Sequence, residues 1–179
     1  MTMSPDIRTR LSALLAVLLF VALIWLYVRE FPVFSNTIGA QSLVVAAIIV
    51  AELAAGGVLW FWRERFRPWE RHLPEVIFTL MLCPLFAPLA GSLLNRSIGK
   101  TEFQPFEFIA ETPYIASNYG FLKGEKLRPT GYTLTVREKN RGLQFKYKKQ
   151  AYYPLTKPGE TILLPVKKGL LGFRVVLLE

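Results

Sequence analysis

The most constraining feature of this sequence is an unbroken apolar run near its amino terminus. Leu11–Val28 contains 18 residues and no charged side chain. At 1.5 Å per residue, a helix of this length spans about 27 Å, close to the roughly 30 Å of a bilayer's hydrocarbon core. Trp25 and Tyr27 lie at its far end, where membrane helices place interfacial aromatics. The bulky residues that follow do not resemble a signal-peptide cleavage site, so the run predicts a transmembrane helix.

Two more apolar segments follow, over residues 38–62 and 76–94. Small residues recur on the first of them, and they are Ala47, Ala51, Ala55 and Gly56. Small residues at a spacing of four let two membrane helices approach closely, so we predict that this stripe packs helices together. The other segment contains Pro84 and Pro88, which predict a kinked span. The alternative is a broken or re-entrant segment.

Glu52 is the one charged residue in the second segment. A carboxylate at the middle of a membrane is costly unless it is protonated or paired. It predicts either a proton or cation site, or a neutral side chain that is hydrogen-bonded within the bundle or between subunits. Since none of the predicted spans offers a second acid or base, the structural interpretation is favoured.

Arginines cluster in the loop between the second and third segments, at Arg63, Arg65, Arg67 and Arg71. They predict either contact with anionic lipid headgroups or a signal for membrane orientation. With Arg8 and Arg10, they outnumber the basic residues predicted near the other surface. The positive-inside rule therefore predicts a multi-pass protein of the cell membrane, a bacterial inner membrane. Its amino terminus would be cytoplasmic and its carboxyl-terminal domain extracytoplasmic, and a re-entrant third segment would reverse the side of that domain.

The composition changes near residue 100, which predicts two domains, 1–99 and 100–179. The first 99 residues contain no lysine, whereas residues 100–179 carry +7 of the formal net charge of +9. Alternating apolar residues then indicate strands. We predict a hairpin that pairs Val136 with Phe145 and Leu134 with Tyr147 around the loop Lys139–Gly142.

A second hairpin is predicted from Thr161–Val166 and Leu170–Leu178, around Lys167, Lys168 and Gly169. Phe106–Ala110 and Tyr114–Tyr119 are weaker strand candidates, separated by Pro113. The fold class is therefore an α+β membrane protein. A bundle of about three transmembrane helices precedes a small all-β barrel or sandwich of five to seven strands.

Several lysines could form a face for an anionic ligand, namely Lys146, Lys148, Lys167 and Lys168. The alternative is that they guard exposed strands against edge pairing, as lysine often does. We do not expect nucleic acid as a partner, because Tyr147 is predicted to face the core and the domain is predicted to lie outside the cell.

The residues needed for common catalytic sites are too few. His72, Asp6 and Cys83 are the single residues of their types. A Ser–His–Asp triad would require His72 in a loop beside the membrane and Asp6 near the amino terminus. The sequence has no zinc-ligand cluster and no nucleotide-binding loop. We therefore predict no catalytic residues, no metal site and no cofactor.

These patterns predict an integral membrane protein that acts as an interaction or assembly subunit of a membrane complex. Its expected partners are membrane lipids, further copies of itself and other membrane proteins. One alternative is a sensor–effector whose β-domain binds an anionic ligand and whose helices perturb the membrane. The other is a small oligomeric transporter or channel that uses Glu52.

Overall fold

The computed structural model describes residues 5–115, 129–148 and 150–178. The helices are α1 (Pro5–Ser35), α2 (Ala40–Phe61) and α3 (Trp69–Ser97). The strands are β1 (Thr37–Ile38), β2 (Thr101–Tyr114), β3 (Gly131–Glu138), β4 (Arg141–Tyr147), β5 (Thr161–Lys168) and β6 (Arg174–Val176). The chain forms two compact units, residues 1–31 and residues 32–179. The second unit contains α2, α3 and all six strands.

All three helices are long and apolar enough to cross a membrane. The candidate spans are Thr9–Ser35, Ala40–Phe61 and Trp69–Ser97, each close to a predicted segment. α3 is continuous over 29 residues although it contains Pro74, Pro84 and Pro88. At 1.5 Å per residue it is about 44 Å long, which exceeds the hydrocarbon core. The alternative of a broken third segment is therefore wrong for this helix.

The strands form one antiparallel sheet in the order β1-β6-β5-β2-β3-β4, which curves into a nearly closed barrel. β2 makes this curvature possible because it pairs with two neighbours in turn. Thr101–Glu107 pairs with β5, and Glu107–Tyr114 pairs with β3, with an irregularity between Phe108 and Ala110. Inward-facing side chains fill the interior, and they include Phe106, Phe108, Leu134, Val136, Phe145, Leu164 and Val166.

The side chain of Asn36 joins the two edge strands of the sheet. Its Nδ2 donates to the carbonyl of Lys146 at 2.9 Å, and its Oδ1 accepts from the Lys146 N–H at 2.8 Å. Its own carbonyl accepts from the N–H of Val176 at 2.9 Å. The carboxamide thus supplies one donor and one acceptor to β4, as a neighbouring strand would. Asn36 is buried, so these bonds are shielded from water.

The predicted first hairpin has the correct faces but the wrong register. Val136 pairs with Leu143 and Leu134 pairs with Phe145, a shift of two residues from the prediction. Lys139 and Asn140 both have positive φ, 45° and 67°, and they form a two-residue turn of the kind that matches the twist of a hairpin. Gly142, which was predicted to lie in the loop, pairs with Arg137. A shift of two preserves which side chains face the core.

The remaining strand predictions are partly corrected. β2 continues past Pro105 and through Pro113, so the predicted break at Pro113 is wrong. Pro105 pairs with Leu163 of β5 but with no residue of β3, because β3 pairs with β2 only from Glu107 onward. The N–H that Pro105 lacks therefore removes no hydrogen bond between β2 and β3. Residues 116–119 of the weaker candidate lie outside the described residues. The second predicted hairpin corresponds to β5 and β6, which pair directly.

Candidate functional site

The α2–α3 hairpin packs through the small residues of α2. The buried residues of α2 are Leu43, Ala55 and Leu59. A side chain added at Gly91 of α3 would lie 3.0 Å from Cβ of Ala47, so the two backbones approach closely there. Ala51 lines an apolar groove between the helices with a volume of about 460 Å³. The predicted self-association through this stripe stays a prediction.

Gly56 has a different environment from the alanines. A side chain added at Gly56 or Gly57 would meet nothing within 4 Å. Ala47 packs against Gly91 within the hairpin, whereas no atom packs against the position that a Gly56 side chain would take. A substitution at Gly56 therefore probes contacts with other molecules without disturbing the α2–α3 packing.

Glu52 lies in the middle of α2 and is half-buried. Among the described residues, its carboxylate makes no hydrogen bond or ion pair. In the part of the chain that the structure describes, Glu52 belongs to no group of three or more His, Cys, Asp or Glu side chains that could hold a metal ion. Its proposed use in transport stays a prediction.

The predicted headgroup arginines lie at the end of the hairpin farthest from the barrel. Arg63, Arg65 and Arg67 occupy the α2–α3 loop, and Arg71 lies in the first turn of α3; all four are exposed. The guanidinium of Arg63 lies 5.0 Å from the ring centroid of Trp60. Such stacking holds the cation beside an interfacial aromatic, an arrangement compatible with either predicted role.

The carboxyl end of α3 is bonded directly to the barrel. Asn95 is buried, and its Nδ2 donates to the carbonyl of Phe173 while its Oδ1 accepts from the N–H of Leu171. Its main-chain carbonyl accepts from the N–H of Leu170 at 2.8 Å. A side chain added at Gly169 would lie 2.2 Å from that carbonyl oxygen. The turn between β5 and β6 therefore fits against α3 because residue 169 is glycine.

This junction makes the hairpin and the barrel one mechanical unit. Gly39 alone separates β1 from α2, and residues 98–100 alone separate α3 from β2. The ammonium group of Lys167 donates to the carbonyl of Arg96 at 2.7 Å. Cations are favoured at the carboxyl end of a helix, so this contact stabilises the end of α3. The sequence analysis missed the roles of Asn36 and Asn95, because a buried carboxamide has no signature in a sequence pattern.

The four predicted ligand-binding lysines divide between two strands. Lys146 lies on β4 and Lys148 follows directly after that strand, whereas Lys167 and Lys168 lie on β5; β4 and β5 are not neighbours in the sheet. Nζ of Lys146 lies 5.9 Å from the ring centroid of Tyr114. The sheet order therefore does not place the four lysines side by side on neighbouring strands.

A carboxylate organises the aromatic end of the barrel. Glu111 accepts hydrogen bonds from the Tyr147 hydroxyl and from the main-chain N–H groups of Tyr152 and Tyr153. The Tyr147 and Tyr152 rings lie 4.8 Å apart, and the Tyr132 ring stacks on Tyr147. Burial, followed by the charge of Glu111, raises the pKa of Tyr153 above its ordinary value. Tyr147 is buried, as predicted, and these contacts anchor the segment after β4.

One ion pair links the two hairpins of the barrel. Arg174 donates from Nη1 and Nη2 to the two carboxylate oxygens of Glu138, at 2.6 and 2.7 Å. The hydrogen bond from Arg174 holds the pKa of the Glu138 carboxyl below its ordinary value, and the same bond raises the pKa of Arg174. Arg174 also donates to Gln104 at 2.9 Å. The pair belongs to the framework of the barrel because its partners all lie on strands.

An apolar patch lies on the outer face of β2 and β5. Phe103 pairs with Pro165, and Pro105 pairs with Leu163 on the neighbouring strand. The adjacent residues Phe106, Ile162 and Leu164 are buried, so alternation turns these four side chains outward. Phe103 is 70% exposed and Leu163 is 58% exposed. Leu177 lies beside them, since its N–H donates to the carbonyl of Pro165.

Comparison of the chain with protein-family models, with curated proteins and with solved structures gives no significant match. Inference about function therefore rests on the geometry. Within residues 5–115, 129–148 and 150–178, no group of three or more His, Cys, Asp or Glu side chains could hold a metal ion. Cys83 is a free, half-buried thiol on α3.

Proposed function

We propose that this protein is an assembly subunit of a membrane complex, in which the barrel binds a second protein through the outer face of β2 and β5. The observation that carries the proposal is the exposed patch of Phe103, Pro105, Leu163, Pro165 and Leu177. Contiguous apolar surface on a water-exposed domain is typical of an interaction site. A barrel bonded to its helices would hold such a patch at a fixed place relative to the membrane.

The position of the patch favours a protein over the bilayer as its occupant. Lys167, beside the end of α3, is four residues from Leu163 on β5. At about 3.3 Å per residue, this separation is about 13 Å along the strand. The headgroup layer on one side of a membrane is about 5–8 Å thick. Contact with a protein therefore explains the exposed apolar side chain of Leu163 better than contact with the bilayer does.

The first partner that we propose is a second copy of this chain, embedded in the same membrane. Two copies can place the same patch face to face about a twofold axis, the commonest arrangement of homo-oligomers. We further propose that the membrane is the cell membrane, with the arginine loop in the cytoplasm and the barrel outside. The excess of arginine in that loop supports this orientation.

The test is the mass of the full-length protein in a mild detergent. Wild type is expected to be a dimer or larger. A Phe103→Asp, Leu163→Asp double variant would place carboxylates against each other in the contact, and we expect association at least about 100-fold weaker. Leu155→Asp is the matched control, because Leu155 is 93% exposed and lies outside β2 and β5. We expect it to keep the wild-type mass.

A Gly56→Leu variant separates the patch from the helix interface predicted by sequence. Nothing lies within 4 Å of the added side chain, so the hairpin itself is undisturbed. If association survives in the double variant and is lost with Gly56→Leu, the contact lies on α2 and the proposed role of the patch is wrong. A monomeric wild type would contradict self-assembly altogether.

A sensor–effector is the second candidate. The observation that favours it is the bonding of Asn95 to the β5–β6 turn, which would transmit a movement of the barrel to α3. This function requires the barrel to be in the cytoplasm, where an anionic ligand could reach it. The side of the membrane on which the barrel lies therefore distinguishes the two candidates.

A further inference from the structure

The turn between β5 and β6 is apolar and lies beside the carboxyl end of α3. Its sequence is Gly169-Leu170-Leu171-Gly172-Phe173. Leu170 is 52% exposed and Leu171 is 44% exposed, and neither leucine belongs to the core of the barrel. Single exposed leucines are ordinary on a protein surface, so the position of this pair relative to the helices decides what it means.

Hydrogen bonds to α3 fix the depth of this turn. The N–H groups of Leu170 and Leu171 donate to the main-chain and side-chain oxygens of Asn95, at 2.8 and 3.1 Å. α3 carries no charged residue from Val76 to Leu94, a stretch of 19 residues. At 1.5 Å per residue this stretch is about 28 Å long, which matches the roughly 30 Å hydrocarbon core. Asn95, and with it the main chain of the turn, therefore lies where hydrocarbon meets headgroups.

The side chain of Leu171 reaches from this level toward the membrane. It shares the lining of the apolar groove between α2 and α3 with Leu43, Gly91 and Leu94. Leu43 lies in the first turn of α2, and Gly91 lies about one turn before Leu94 on α3, so all three are inside candidate spans. Leu171 thus meets the parts of both helices that a bilayer would surround.

The main chain of the turn has its N–H donors paired without water. The N–H of Gly169 donates to the carbonyl of Phe173 at 2.9 Å, and the N–H of Gly172 donates to the carbonyl of Gly169 at 3.0 Å. With the two bonds to Asn95, the N–H groups of four consecutive residues, 169–172, have partners within the protein. Backbone that enters the apolar part of a membrane must satisfy its polar groups internally. The turn meets this requirement for its donors.

We propose that the β5–β6 turn inserts Leu170 and Leu171 into the bilayer and so anchors the barrel to the leaflet at which α3 ends. Lipid hydrocarbon is the occupant because the hydrogen bonds to Asn95 place the turn at its edge. Lys168, which directly precedes the turn, is exposed. A basic residue beside apolar side chains is typical of segments that lie in a membrane interface. The proposal does not depend on the patch around Phe103, which lies elsewhere on the barrel.

The test is electron paramagnetic resonance of the full-length protein in liposomes of phosphatidylcholine and phosphatidylglycerol. A Cys83→Ala background allows one nitroxide label at a time. Labels on Leu170→Cys and Leu171→Cys are expected to collide with dissolved oxygen, which concentrates in hydrocarbon. They are also expected to lose most collisions with a water-soluble nickel chelate. The Tm of each variant verifies that the fold persists.

Two exposed positions calibrate the measurement. A label on Leu53→Cys reports on hydrocarbon, because Leu53 is 72% exposed in the middle of α2, and a label on Leu155→Cys reports on water. Nickel collisions at Leu170→Cys as frequent as those at Leu155→Cys would place the turn in water and overturn the proposal. Protection from both oxygen and nickel would show that a protein surface covers the turn, and would equally overturn lipid insertion.

Discussion

Gly169→Ala is expected to lower the unfolding free energy of the barrel by about 3 kcal/mol or more, the upper range for overpacking. The added Cβ would lie 2.2 Å from the carbonyl oxygen of Asn95 and 2.4 Å from its carboxamide. Neither group can move freely, because Asn95 is buried and bonded to the chain at Leu170, Leu171 and Phe173. The substitution must therefore separate the β5–β6 turn from α3.

The measurement is the thermal unfolding of the full-length protein in detergent, followed by the circular dichroism of the barrel tyrosines. Gly142→Ala is the matched control, because an added side chain there meets nothing within 4 Å. We expect this control to change stability by less than about 0.5 kcal/mol, as for most surface substitutions. Equal Tm values for the two variants would mean that the close contact at Asn95 does not hold the junction together.

Asn36→Ala is expected to open the barrel between its edge strands and to lower the free energy of unfolding by about 2–4 kcal/mol, because two main-chain groups of Lys146 lose their partners. The change removes both hydrogen bonds to the main chain of Lys146, and a buried polar group without a partner costs about 1–3 kcal/mol. The main-chain N–H and carbonyl groups of Lys146, which Asn36 now bonds, would then be left unpaired at the edge of β4. Amide hydrogen exchange should show loss of protection at Lys146 before the rest of β4 and β3.

Ser35→Ala is the control for this experiment. The Ser35 hydroxyl is exposed and donates only to the carbonyl of Pro32, within the last turn of α1. We expect normal protection at Lys146 in this variant. If Asn36→Ala leaves exchange at Lys146 unchanged, the carboxamide does not close the barrel, and another contact must join its edges.

Periodicity predicted much of this fold because both membrane helices and half-buried strands leave regular patterns. The three apolar segments and the alternation around Leu134 and Phe145 have counterparts in the structure. The register of that hairpin was wrong because it depends on two residues with positive φ, Lys139 and Asn140. Asparagine tolerates this conformation, but lysine there is not a recognised turn signal.

The candidate sites were harder to predict because they depend on contacts between distant residues. Asn36 and Lys146 are 110 positions apart, and Asn95 contacts a turn more than 70 positions away. The patch around Phe103 also depends on pairing, since β2 must lie beside β5 before Phe103 and Leu163 share a face. Arg96 and Lys167 meet for the same reason, although each alone is an ordinary basic residue.

The most direct test of this account is whether the α2–α3 hairpin places its arginine loop and its barrel on opposite sides of a membrane. Cys83 is the single cysteine, so a Cys83→Ala background allows one new thiol at a time. Arg65→Cys reports on the loop, and Leu155→Cys reports on the barrel. Both positions are exposed.

The measurement is labelling by a membrane-impermeant maleimide in intact cells and in inverted membrane vesicles. We predict that Leu155→Cys is labelled in intact cells and Arg65→Cys is labelled in inverted vesicles. If instead Arg65→Cys is labelled in intact cells and Leu155→Cys in inverted vesicles, the hairpin still crosses the membrane but the barrel lies in the cytoplasm. That result would favour the sensor–effector. Labelling of both positions from the same side would contradict a hairpin that crosses the membrane.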